Sequence, residues 1–201
     1  MDHHADCLCL LFKISDRHGL SLLNQQIMIA LYIIGGLIAL VLILAALAGT
    51  SWNFSKSIHI DASPDKVWEH VSTFKAMQDW NPYIDRDPDI KLEITGTDGT
   101  PGSTYSWDSK MAQVGAGSQT ILEINPGKRV ASRLNFLRPF KGIAHAQMNL
   151  QPEGAGTQAT WSIESTTPYP MNIVKLFGII EKNMDRDFGK GLNKLKALSE
   201  A

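Results

Sequence analysis

Apolar and polar residues alternate from Ser57 to Asp61, with Ile58 and Ile60 on one side, as in a half-buried strand. Ser63 and Pro64 follow as a helix cap and a first helical residue, and Val67, Trp68, Val71 and Phe74 then recur at helical spacing. Turn signals come next, at Gly96 to Gly99, Gly115 to Gly117, Asn125 to Gly127, Arg138-Pro139 and Glu153 to Gly156. The runs between them predict strands near 90–96, 103–109, 117–125, 128–136, 142–151 and 157–166, which with one at 53–60 make seven antiparallel strands. From Met171 to about Leu198 the period lengthens. Phe177, Ile180, Met184, Phe188, Leu192, Leu195 and Leu198 form one stripe, which predicts a single long helix covering the sheet.

A different pattern precedes all of this. From Ile27 to Gly49 there is no charge, and only Tyr32 carries a polar group. As a helix this run is about 34 Å long against roughly 30 Å of bilayer hydrocarbon, which predicts a single-pass membrane anchor. Residues 1–26 read as a tail without regular structure, and residues 50–201 as the folded domain. Lys13 and Arg17 before the span against Lys56 after it favour, by one charge, a domain on the non-cytoplasmic side. Met28 heads the apolar run and is a second candidate start.

The strand, the helix Ala-Ser-Pro-Asp-Lys-Val-Trp at 62–68, Trp80-Asn81-Pro82 and the long C-terminal helix resemble the SRPBCC or START-like superfamily, in its polyketide cyclase/dehydrase-like branch. The resemblance covers roughly residues 53–199. It implies an α+β helix-grip fold, a curved antiparallel sheet of about seven strands wrapped on the C-terminal helix. It also implies a cavity between them for a small hydrophobic or amphipathic molecule, with Trp80, Asn81 and Tyr83 at one end as pocket lip or plug. Such a resemblance speaks to fold more firmly than to activity.

Charge narrows the functional classes. Residues 50–201 carry 17 Lys and Arg against 17 Asp and Glu, interspersed, and no nucleic-acid motif, so no nucleic-acid partner is expected. Both cysteines, Cys7 and Cys9, precede the apolar run, so the domain folds without a disulfide in either redox compartment. With His3 and His4 they are metal-ligand types, but their spacing matches no zinc module, and no metal is expected. No phosphate loop, His-Glu-x-x-His or nucleophile elbow is present, and nothing in the sequence asks for a cofactor.

Side-chain direction selects the site candidates. Tyr105 and Trp107 share one strand face, as do Ala159, Trp161 and Ile163, and aromatic rings there suit either a ligand cavity or an ordinary core. Ala144, Ala146, Met148 and Leu150 point inward, which turns His145 outward; His59 and His70 read as surface positions. On the long helix, Met184, Phe188 and Gly191 face the sheet, the glycine either allowing close approach or leaving room. Glu181 lies nearest the apolar centre line among the carboxylates, with Asp187 next. A carboxylate facing an apolar cavity has its charged form disfavoured, as a general acid requires.

Three functions fit these residues. The first is a membrane-tethered domain that binds a small hydrophobic molecule or lipid through Trp80, Asn81, Tyr83, Tyr105, Trp107, Trp161, Met184, Phe188 and Gly191. The second is a cyclase or dehydratase using Glu181 or Asp187 as acid/base, with Tyr105 donating a hydrogen bond. The third is a protein-interaction module whose cavity Trp107, Trp161 and Phe188 fill.

Overall fold

The computed structural model describes the backbone of residues 3–201 and the side chains of residues 24–201. The chain divides into two units, Met1–Ala48 and Gly49–Ala201. The first is helix α1, His3–Leu47, which runs back through the segment expected to be an irregular tail. Its stretch Asn24–Leu47 has a mean hydropathy of 3.0 and is, among the described residues, the one helix long and apolar enough to cross a bilayer; an N-terminal signal sequence passes the same test. The side chains of His3, His4, Cys7 and Cys9 lie outside the described residues.

The second unit opens with strand β1, Ser51–Ile60, followed by helices α2, Pro64–Val71, and α3, Phe74–Met77. Ser63 caps α2 by accepting a hydrogen bond from the Lys66 amide, with Pro64 in the first helical turn, and Thr73 caps α3 through the Ala76 amide. Six strands follow: β2, Lys91–Thr95; β3, Thr104–Asp108; β4, Ala116–Asn125; β5, Arg129–Arg138; β6, Gly142–Glu153; and β7, Gly156–Thr166. All pairings are antiparallel in the order β1-β7-β6-β5-β4-β3-β2, so the first strand closes onto the last. Hairpins join consecutive strands from β2 to β7, as the glycine-rich turn signals require.

The long helix differs from its sequence pattern. Met171–Phe177 forms a 3-10 helix, Gly178 turns left-handed at φ 62°, and only then does α4, Ile179–Glu200, begin. The stripe from 177 to 198 therefore describes one regular helix, α4, plus a separate turn. Phe177, the first residue of the expected stripe, falls in that turn and stands exposed, as does Leu198 at the far end, so the inward-facing run is Ile180 to Leu195 on α4.

The core lies between the sheet and the helices. Ile60, Val67, Phe74, Met77, Trp80, Met148, Leu150, Leu192 and Leu195 are all buried in one cluster, together with Ala159 from β7. Among the described residues, every buried member of this cluster lies in the unit 49–201, which thus holds its own core. Helix α4 is fixed to β1 along its length. Phe188 meets Phe54 edge-on at 5.4 Å, Lys56 donates to Asp185 at 2.6 Å, and near the helix end Lys196 donates to the His59 carbonyl.

Candidate functional site

A cavity of about 380 Å³ opens between the concave face of the sheet, the segment following α3, and the first half of α4. Its wall is largely aromatic and aliphatic. Trp80 and Tyr83 come from the segment after α3, Tyr105 and Trp107 from β3, Phe136 from β5, Trp161 from β7, and Met184 and Phe188 from α4. Alternation along β6 adds Ala144, Ala146 and Met148, whose small or flexible side chains leave the centre of the sheet unfilled. Polar atoms are few. Gln119 and Ser132 sit side by side on β4 and β5, with Nε2 of Gln119 donating to Oγ of Ser132 at 2.7 Å.

The aromatic residues brace one another. Trp161 stacks on Phe188 with centroids 4.0 Å apart, and Trp80 meets Trp161 edge-on at 5.2 Å, so sheet, connecting segment and α4 join at one point. On β3, Tyr105 stacks between Phe74 and Trp107. Trp107 lies across the cross-strand position Gly117, where an added Cβ would come within 2.6 Å of the indole and of the Asn135 carbonyl. Tyr105 is 3 % exposed, and its hydroxyl has no hydrogen-bond partner among the described residues; burial pushes its pKa up.

The residues expected at the site separate into three groups. Trp80, Asn81, Tyr83, Tyr105, Trp107, Trp161, Met184 and Phe188 all line the cavity. Gly191 does not. A Cβ there would meet Trp161 at 3.0 Å and Pro82 at 3.1 Å, so the glycine permits close approach of α4 to its neighbours and leaves no room.

The two carboxylates lie elsewhere. Glu181 is exposed in the first turn of α4, because the break at Gly178 places it at the helix entrance, beyond the covered face. Asp187 is 2 % exposed but is held by ion pairs to Arg86 and Arg186, outside the cavity wall. Tyr83 borders that ion cluster. Burial, followed by the Asp187 charge, pushes its pKa up to about 12. Among the described residues no carboxylate lines the cavity, and no group of His, Cys, Asp and Glu stands ready for a metal ion.

Several lining residues carried no sequence signal that sets them apart. Phe136, Gln119 and Ser132 are ordinary strand residues whose direction follows from register, and the irregularity of β4 between Ile121 and Glu123 shifts that register part-way along the pair. Gly117 opposite Trp107, expected as part of a turn signal, is the signal that could have marked the site, a glycine where a strand would otherwise present a side chain.

The cavity has a mouth at one end. Its exposed lining residues, Gln113, Arg138, Pro139 and Phe140, belong to the β3–β4 and β5–β6 connections, at the end of the sheet where β1 begins and β7 finishes. Arg138 is ion-paired with Asp108 at the same edge. Residues deeper in the wall, such as Met77, Ala146 and Met148, are buried.

A curved antiparallel sheet closed by a C-terminal helix around an apolar cavity is a helix-grip architecture. Residues 51–200 match the family model described as polyketide cyclase / dehydrase and lipid transport, and the chain belongs to that family. Among solved structures, protein CV1439 from Chromobacterium violaceum aligns with a TM-score of 0.54 and 18% identity, covering 74% of this chain and 97% of its own. Ara h 8.0201 gives 0.53 and 13%, over 74% and 97%. The di-domain ARO/CYC StfQ from the steffimycin biosynthetic pathway gives 0.57 and 11%, over 75% of this chain and 51% of that larger one. At these identities the likeness is one of fold. A search of curated proteins finds no match.

Proposed function

We propose that this protein is a membrane-tethered binding domain that holds a small hydrophobic or amphipathic molecule in the cavity between sheet and α4. The observation that carries this reading is the cavity itself, about 380 Å³ with a wall built mainly from aromatic and aliphatic side chains. Apolar ligands gain roughly 25 cal/mol for each Å² they remove from water, and rigid rings offer that area at little entropic cost. The apolar stretch Asn24–Leu47 serves as the tether, inserted as a retained signal-anchor. Tethering raises the local concentration of membrane-borne ligands around the cavity. Lys13 and Arg17 before the span direct the domain to the non-cytoplasmic side.

The acid/base reading loses its residues, since Glu181 is exposed and Asp187 is engaged by two arginines behind Tyr83 and is not part of the cavity wall. The filled-cavity reading conflicts with the open volume that remains beside Trp107, Trp161 and Phe188. Thermal unfolding of residues 49–201 in the presence of individual lipid classes tests the proposal. A true ligand at about one hundred times its Kd adds roughly 2.7 kcal/mol, an upward shift in Tm of about 5–10 °C for a domain of this size. A flat response across neutral lipids, fatty acids, isoprenoids and aromatic polyketide-like compounds would contradict it.

A further inference from the structure

Eleven large apolar side chains stand exposed among the described residues of the domain, and they are not scattered. Nine of them lie at the end of the sheet where β1 begins, leaving only Leu122 and Leu198 elsewhere. The most prominent are Phe140, 77 % exposed on the β5–β6 connection, and Phe177, 71 % exposed at the end of the 3-10 helix, with Tyr169, Met171, Leu176 and Ile179 around it. Their location is fixed from within the domain. Nδ2 of Asn172 donates to the Gly49 carbonyl, and Nζ of Lys175 donates to the carbonyls of Gly49 and Ser51, which ties the 3-10 helix to the point where β1 starts. Exposed apolar side chains gathered at one end of a domain mark a candidate interaction site.

We propose that this rim is a membrane-docking surface, through which the cavity mouth opens directly against the bilayer. The occupant follows from the covalent chain. Ala48, Gly49 and Thr50 alone separate α1 from β1, so four Cα steps span at most about 14 Å between the end of the apolar helix and this end of the sheet. Lys110 and Lys141 stand exposed beside Met111 and Phe140, and cations flanking an apolar rim favour anionic lipid headgroups. Phe140 both lines the cavity and belongs to the rim, so a ligand passes between acyl chains and cavity without crossing bulk water. This inference rests on the tethered-binding reading given above, and adds the route by which the ligand arrives.

The test uses the full chain in nanodiscs whose lipids carry bromine on their acyl chains, a short-range quencher of tryptophan emission. Phe140→Trp and Phe177→Trp place reporters on the rim by conservative exchange, and Leu122→Trp places one away from it. The emission added by the two rim reporters is lost in brominated discs and retained in unbrominated ones, while that of Leu122→Trp is retained in both. Rim reporters that stay bright in brominated discs overturn the docking surface and leave ligand binding, read separately by thermal shift, untouched. A chain that fails to enter the discs contradicts the tether and the docking surface together. Self-association of residues 49–201 that disappears in the Phe140→Ser, Phe177→Ser double variant, without any binding to vesicles, assigns the rim to a second copy and overturns the proposal.

Discussion

Trp107 owes its position to a residue with no side chain. Its indole lies over Gly117, and an alanine there would bring a methyl to within 2.6 Å of both the ring and the Asn135 carbonyl. Gly117→Ala should therefore destabilise the domain by about 1–3 kcal/mol, the usual cost of overpacking, and displace Trp107 into the cavity. Denaturant unfolding measures the first effect, and loss of affinity for a cavity ligand the second. His59 offers a titratable counterpart on the surface. Its pKa is raised first by the hydrogen bond to Glu153 and further by the Asp61 charge. The stabilisation from this contact is complete below the ordinary histidine value of 6.5 and is lost as pH rises through the raised folded-state value. Tm should accordingly fall across neutral pH, and the His59→Gln variant should show less of that fall. The residues of the cavity wall were legible wherever strand alternation alone sets direction, as for Tyr105, Trp107 and Trp161. Glu181 was misplaced because a helical wheel gives a side chain's direction around the axis and not how far the covering sheet reaches along it; α4 starts only at Ile179, and its first turn stands largely exposed.

At the scale of elements, the boundary between the 3-10 helix and α4 decides what the domain presents at its mouth. Gly178 adopts φ 62°, and its Cβ position is open, so a side chain there meets no atom and only the backbone conformation objects. Gly178→Ala should cost about 1–2 kcal/mol, the penalty of a left-handed alanine, with no change in cavity packing. Comparing its denaturation midpoint with that of Gly117→Ala separates backbone strain from steric conflict. All seven strands were legible in the sequence because turns and alternation are local signals. The pairing of β1 with β7, by contrast, joins residues about a hundred positions apart and has no local mark, so it was not read from the sequence.

At the scale of the whole molecule, an apolar helix and a helix-grip domain with an open, mainly apolar cavity are carried on one chain. The family match supports a hydrophobic ligand as a class and leaves its identity to chemistry that the cavity wall displays only in outline, rings with the Gln119–Ser132 pair among them. The account stands or falls on whether that cavity is occupied. Native mass spectrometry of residues 49–201, purified without its helix from cells and followed by extraction of bound compounds, measures this directly. The account predicts a reproducible bound mass from a small apolar molecule, displaced when Gly117→Ala pushes Trp107 inward. Protein that is uniformly empty, and stays empty after incubation with total lipid extract, would contradict it.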